Sequence, residues 1–463
     1  MGYASVASYI AGIIIVILLS LMLNLQPSQI ISVACFLGVI LGAIFFWRLR
    51  VAFAFSGVAL MLFTGVLTVP LVIKYAHFDV ILFLLGMMTI IGVLEETGFF
   101  EYLLNLLFKV FSRSGSLLFS GLLILSAMFA ALVDEVTSIL FITALTLRIT
   151  RKYDLDVLPM VIATVMATNV GSSFTVIGNP IGVLIAFEGN LTFLDFIHWA
   201  TPVGIAVLLL TIFLALIYWK SYVGTLNYRM KTLGVEMESS TNSGEKVTHK
   251  SMLIPWIVFL STIGGLAIHH PLEEFMHLPK NSLLLAVPVV MAGISLFLSK
   301  EKAREIIERR VEWWSLVFFI FFFTSVGTLA YTGVSKLMAE GTVSIAGGNP
   351  MLMTTIITWT AGILSAFMDN ILAVATLISI VHGLEAYGYH IFPAWWGLLF
   401  GACYLGNLTM IGSTANIVAI GIIEKERNRY INFIDWIKPG LAIAVPQLIL
   451  ATLLLMFQHY PIL

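Results

Sequence analysis

The sequence predicts an all-α polytopic membrane protein with about 11 transmembrane helices plus two re-entrant hairpins, built as two inverted-topology repeats with broken helices. Three observations predict it. Of 463 residues, 60% are hydrophobic and 11% charged, with a mean hydropathy of +1.02, too little charge for a chain of this size to stay in water. An internal repeat carries Thr97-Gly98 to Thr332-Gly333 and Asp134 to Asp369 at a spacing of 235, and Thr175-x-Ile177-Gly178 to Thr409-x-Ile411-Gly412 at 234. Lysine and arginine concentrate in alternate connections, as the positive-inside rule requires of cytoplasmic loops.

Apolar runs place crossings near 5–24, 30–47, 51–73, 79–97, 157–187, 200–219, 251–269, 281–298, 311–331, 392–422 and 440–459. With the N-terminus inside, three of the 24 Lys and Arg residues (Lys74, Lys280 and Lys336) fall outside and the rest inside, Lys109 and Arg113 among them. An odd number of crossings then leaves the C-terminus outside. The apolar N-terminus lacks a basic region and a cleavage site, and reads as a retained first helix. The chain divides into scaffold helices (1–78), a first repeat (79–219), a polar cytoplasmic linker (220–250), linking helices (251–310) and a second repeat (311–463).

Residues 116–150 and 349–382 each hold two short apolar arms around acids, Asp134-Glu135 and Asp369-Asn370. A hairpin that enters and leaves by one face puts such a tip at mid-depth, where irregular backbone survives only inside protein or a polar cavity. The spans 157–187 and 392–422 are longer than the roughly 20 residues needed to cross. Each is interrupted by a polar, Gly-rich stretch, Gly171 to Pro180 and Gly406 to Asn416, and reads as a broken helix. Each half contains a crossing, a hairpin, a broken crossing and a further crossing. That is an odd number of spans, so the second half is inverted, and the two hairpins enter from opposite faces with tips that can meet.

At these residues the chain resembles the ion transporter superfamily, and within it the arsenite efflux permeases and NhaD-type sodium/proton antiporters, a citrate transporter-like domain. The resemblance covers roughly 79–219 and 311–459. Met368-Asp369-Asn370 and the stretch from Gly406 to Asn416 carry it most clearly, with Asp134-Glu135-Val136-Thr137 and Gly171 to Pro180 in the first half. It implies a homodimer in the cell membrane, and a transport part of hairpins and broken helices moving in elevator fashion against a scaffold. Two departures separate the halves: Glu135 stands where Asn370 does, and Gly182 where Asn416 does. The related divalent-anion symporters carry neutral Ser-Asn-Thr tips, and the acids here argue against sodium-coupled dicarboxylate uptake.

A carboxylate at mid-membrane is disfavoured by roughly 2.5–3.5 kcal/mol on insertion scales, so it is usually paired or used. Burial disfavours the charged form, letting an acid exchange a proton for a metal cation at one site. The candidate ion-binding residues are the tip residues Asp134, Glu135, Thr137, Asp369 and Asn370, with Asn169, Ser172, Ser173, Thr175, Gly178 and Asn179 at the first break and Asn407, Thr409, Gly412, Ser413, Thr414 and Asn416 at the second. A bound Na⁺ at Asp134, Asp369 and Asn407 would find side-chain oxygens and freed carbonyls, a hard-oxygen cage. The plainer reading makes Asp134 and Asp369 helix N-caps, and the glycines close-packing residues.

No soft-metal cluster is expected of Cys35 and Cys403, and Cys403 reads as a small hydrophobe. Glu95 and Glu96 read as water-facing. The histidines His198, His269, His270, His277, His382 and His390 read mostly as solvated loop residues near the outer face. Trp199, Trp256, Trp313, Trp314 and Trp436 read as an interfacial belt. Near-neutral charge excludes nucleic acid as a partner. The absence of Gly-x-Gly-Asp, HExxH and GxSxG argues against an intramembrane enzyme, and the missing P-loop against an ATP-driven pump in this chain, though a separate ATPase subunit could dock. The expected function is secondary transport: cation/proton exchange first, export of a small oxyacid such as arsenite second, anion or carboxylate uptake third.

Overall fold

The computed structural model describes residues 3–103, 114–233, 252–427 and 431–460. All regular structure among them is helical, and 10 of the helices are long and apolar enough to cross a membrane. Eight of these are expected crossings, and two, Gly115–Leu132 and Pro350–Phe367, are first arms of the expected hairpins. The other three crossings are interrupted. The broken helices are Leu158–Gly171 with Pro180–Glu188, and Phe392–Leu405 with Thr414–Arg427. The run expected at 51–73 is also split, into Arg50–Phe63 and Val69–Tyr75, because Gly65 turns the chain at φ +74°. Of the linker expected at 220–250, residues 234–250 lie outside the described residues, as do Lys109 and Arg113.

Local chemistry sets the helix starts. Ser114 caps the first hairpin arm by accepting from Leu117 N, and Asn349 caps its counterpart by accepting from Met351 N and Leu352 N just ahead of Pro350. The second arms, Glu135–Lys152 and Asn370–Ala386, begin at Asp134 and Asp369, which accept from Thr137 N and Ile371 N. The half-helix Pro180–Glu188 starts at Asn179, whose side chain accepts from Gly182 N at 2.6 Å. Asn-Pro at such a point ends one half-helix and begins the next.

In each repeat the first hairpin arm packs on the first half of that repeat's broken helix. Ser126 donates to Thr164 O at 2.8 Å in the first repeat, and Ser365 donates to Ala402 O at 2.8 Å in the second. The second arms cross over. Arg151, at the end of the first hairpin, pairs with Glu426 at the end of the second broken helix at 2.8 Å; His382, near the end of the second hairpin, meets Glu188 at the end of the first broken helix at 2.7 Å. Such reciprocal pairing between halves is what a pseudo-twofold axis between inverted repeats produces.

The surrounding helices form the frame. Phe78–Glu96 lies against Ser282–Ser299 so closely that a Cβ at Gly86 would press on Pro288. At one end of Phe78–Glu96, Arg310 pairs with Glu95 at 2.6 Å and with Glu96, while Lys302 reaches Glu96 at 3.3 Å. The acids expected to face water therefore tie the frame together. Helix Leu253–Met276 extends beyond the expected end at 269, and His269 is buried inside it with Nδ1 2.7 Å from Leu266 O, not in a solvated loop.

Candidate functional site

The two breaks interlock. Asn169 Nδ2 donates to Asn407 Oδ1 at 2.7 Å and to Asn416 Oδ1 at 2.9 Å, and Asn169 Oδ1 accepts from Ser413 at 3.0 Å. Asn407 Nδ2 donates to Gln447 at 3.0 Å and to Met166 O at 3.3 Å, while Gln447 passes a hydrogen bond to Thr211 at 2.7 Å. Asn416 Nδ2 reaches the Gly406 and Thr409 carbonyls at 3.0 and 2.8 Å. These residues are fully buried and their polar atoms meet one another, which makes a rigid polar clamp across the repeat axis. Gln447, a lone amide in an apolar run, was legible as unusual; Thr211 was not.

Each break is also latched to its own hairpin. Thr175 Oγ1 donates to Ala131 O and Thr409 Oγ1 to Ala366 O, one repeat apart, while a Cβ at Gly178 would drive into Ser172 O and one at Gly412 into Gly406 O. Glycine is required at both positions for that close approach. Trp436, expected in the interfacial belt, is buried instead and donates from Nε1 to Asn407 O at 3.1 Å, fixing a carbonyl freed by the second break. Ser173 bonds the Tyr404 hydroxyl at 2.8 Å.

The hairpin tips carry the rest. Asp134 accepts from Thr137 N at 2.8 Å and from Thr137 Oγ1 at 2.7 Å. Asp369 accepts from Ile371 N at 3.0 Å and from Thr414 Oγ1, the first residue of the second half-helix. Between the tips lies Glu135, 2% exposed, with the Asn370 amide and the Ser172 hydroxyl beside it. Neither closes a bond of ordinary geometry on Glu135 Oε2, and Asn370 Nδ2 is also without a partner. An acceptor oxygen of Glu135 and the donor nitrogen of Asn370 thus face each other in the interior without a closed bond.

Cys403 belongs to this group and not to the apolar background. Its sulfur accepts from Asn179 Nδ2 at 3.2 Å and from Ser172 Oγ at 3.9 Å, and it occupies the repeat position of Asn169. Arg50, expected in a cytoplasmic loop, is 7% exposed. It donates to Ser315 at 3.0 Å, stacks on Trp47 at 4.0 Å, and its charge acts on Asp369. The sequence hint was an arginine abutting an apolar run.

Two cavities lead to the tips. One of about 210 Å³ touches Asp134, Glu135 and Asn179 and runs to Glu95, Arg310 and Glu312; another of about 200 Å³ touches Asp369 beside Trp47. The first ends at Arg309 and Arg310. Among the described residues no three His, Cys, Asp or Glu side chains converge as a metal cage. A cation here would instead rely on Glu135 or a tip aspartate with amide, hydroxyl and carbonyl oxygens, the donor chemistry of an alkali ion.

The sequence profile of the family described as citrate transporter matches residues 36–401. This chain belongs to that family. Its membership bears out the ion transporter superfamily resemblance read from the hairpins and breaks, and makes it a multi-pass membrane transporter, not an enzyme. An uncharacterized transporter of Mycobacterium tuberculosis is 30% identical over 83% of this chain and 89% of its own length. The human P protein is 25% identical over 84% of this chain and 54% of its own length. The crystal structure of the Alcanivorax borkumensis YdaH transporter shares the fold, with a TM-score of 0.57 at 15% identity over 88% of this chain and 89% of that one.

Proposed function

We propose that this transporter exchanges Na⁺ for protons, with Glu135 as the group that either ion occupies. The observation that carries the reading is the Glu135 carboxyl, buried between the tips with Oε2 open and a cavity leading to it. An unpaired carboxylate at that depth is costly, and either a proton or a cation relieves it, so competition for one oxygen couples the two fluxes. Ser172 supplies a neutral oxygen beside it while the Asn370 amide nitrogen faces the carboxyl, and Asp134 and Asp369 hold the tips and add negative potential. In this reading Asn169, Asn407, Asn416 and Ser413 position the breaks and do not ligate. The hairpins and broken helices move as a unit against the remaining helices of a plasma-membrane homodimer, N-terminus inside.

A carboxylate cargo carried with a cation is the second reading, favoured by the family's description and by the half-helix N-termini at Pro180 and Thr414, whose partial positive charge suits an anion. Proteoliposomes holding a pH dye separate the two when Na⁺, Li⁺, K⁺, arsenite or citrate is added in turn. Proton flux driven by Na⁺ or Li⁺ alone is expected. Flux that needs citrate, or no flux with any alkali cation, overturns the exchange reading.

A further inference from the structure

We propose that His77, Glu188 and His382 form a titratable latch that holds the transport unit against the frame on the face opposite Arg151. The proposal rests on the transport unit moving against the frame. It starts from the reciprocal pairing of the two halves. On one face the contact between hairpin and broken helix is Arg151 with Glu426, a pair that no physiological pH breaks; on the other it is His382 with Glu188. The second contact has an additional member. His77 Nδ1 lies 3.1 Å from Glu188 Oε1, while His382 Nε2 takes Oε2 at 2.7 Å. Glu188 ends a broken helix and His382 sits in a hairpin arm, whereas His77 precedes the frame helix Phe78–Glu96. One carboxylate thus joins the moving and fixed parts.

His77 is held in place for this. Its backbone is left-handed (φ 48°, ψ 55°), a conformation that disfavours non-glycine residues, and its ring meets Phe323 edge-on at 5.4 Å. The cluster borders the largest cavity described, about 510 Å³, which also touches Lys74, Asp79 and Ser379. The charged groups facing His77 are therefore Glu188 from the broken helix, His382 from the hairpin with Glu385 3.8 Å from its other nitrogen, Lys74 from the preceding helix, and Asp79 on its own helix. Burial works against a charge on His77, but the hydrogen bond to Glu188 and its negative charge outweigh it and raise the imidazole above its ordinary 6.5. A raised value means the latch is complete below pH 6.5 and is lost as pH rises through the elevated His77 value. Release on this face frees the transport unit to move against the frame.

The test labels Ser379→Cys, which lines the cavity, with a membrane-impermeant maleimide in the purified full chain, where the native Cys35 and Cys403 are buried. With every rate divided by that of glutathione at the same pH, which cancels the ionisation of the thiol itself, the normalised labelling with the latch intact is slow near pH 6 and rises roughly fivefold or more by about pH 9. In His77→Gln and in Glu188→Gln it is fast and flat across that range; Arg151→Ala keeps the pH dependence. If Glu188→Gln does not fold, His77→Gln decides. A pH profile that His77→Gln leaves unchanged, a flat profile in the parent, or a profile that Arg151→Ala flattens each overturns the latch. The labelling needs no cargo, so absence of Na⁺/proton exchange sinks the exchange reading and leaves this result to stand or fall alone.

Discussion

The two hairpin tips share a frame and differ in the polar side chain that follows the capping aspartate. At the first, Asp134 caps a helix and is followed by Glu135, a buried carboxyl with an open oxygen; at the second, Asp369 caps a helix and is followed by Asn370, a buried amide with an open nitrogen. The repeat brings Glu135 and Asn370 to the same place from opposite directions. A symmetric scaffold thereby carries an asymmetric centre, an acid facing an amide. Several features around the tips are duplicated: the Thr175 and Thr409 latches, the Gly178 and Gly412 close approaches, the paired caps. Duplicated features point to architecture, and the feature that differs points to chemistry.

That contrast is broken or sharpened by substitution. The largest effect is expected of Glu135→Gln, which should reduce cation-driven proton flux in proteoliposomes to background while the protein stays folded; retained flux with an unchanged pH profile would remove Glu135 from the coupling. Next come Gly178→Ala and Gly412→Ala. Each should destabilise by about 3 kcal/mol, because backbone carbonyls block the new methyl and cannot yield cheaply. Thermal unfolding should show the two halves equally affected. Thr175→Val and Thr409→Val should each cost about 1–2 kcal/mol by leaving the Ala131 or Ala366 carbonyl unsatisfied, again equally. Unequal losses in either matched pair would undo the division between duplicated architecture and single chemistry. The smallest effect belongs to Asp134→Asn. Asparagine caps as well as aspartate, and Thr137 can bond either, so stability should stay within about 0.5 kcal/mol and flux should persist. If Asp134→Asn abolishes exchange while Glu135→Gln retains it, the roles of the neighbours are reversed.

Much of the architecture was legible. The acids inside apolar runs, the overlong spans with Gly-rich interruptions and the parity of crossings carried hairpins, broken helices and inversion, because membrane depth tolerates few ways to satisfy a backbone. Which polar residues stay open was not legible. Asn169, Asn407 and Asn416 look from sequence as suited to ligation as Asn370, yet they satisfy one another, and only Asn370 keeps a free nitrogen. Cys403 and Trp436 were read by type, as hydrophobe and belt residue. Their roles come from neighbours more than 200 residues away for the cysteine, at Ser172 and Asn179, and 29 away for the tryptophan, at Asn407. His382 likewise reads as a loop histidine until the fold delivers Glu188.

The sequence by itself determined the solvent, the repeat and where the backbone must break, since hydropathy and glycine, proline and cap chemistry act locally along the chain. Tertiary structure alone decided which side chains meet. Hydrogen bonds and charge pairs across the repeat axis join residues more than 190 positions apart, such as Asn169 with Asn407 and Glu188 with His382, and no local pattern encodes which of them is left with an open atom.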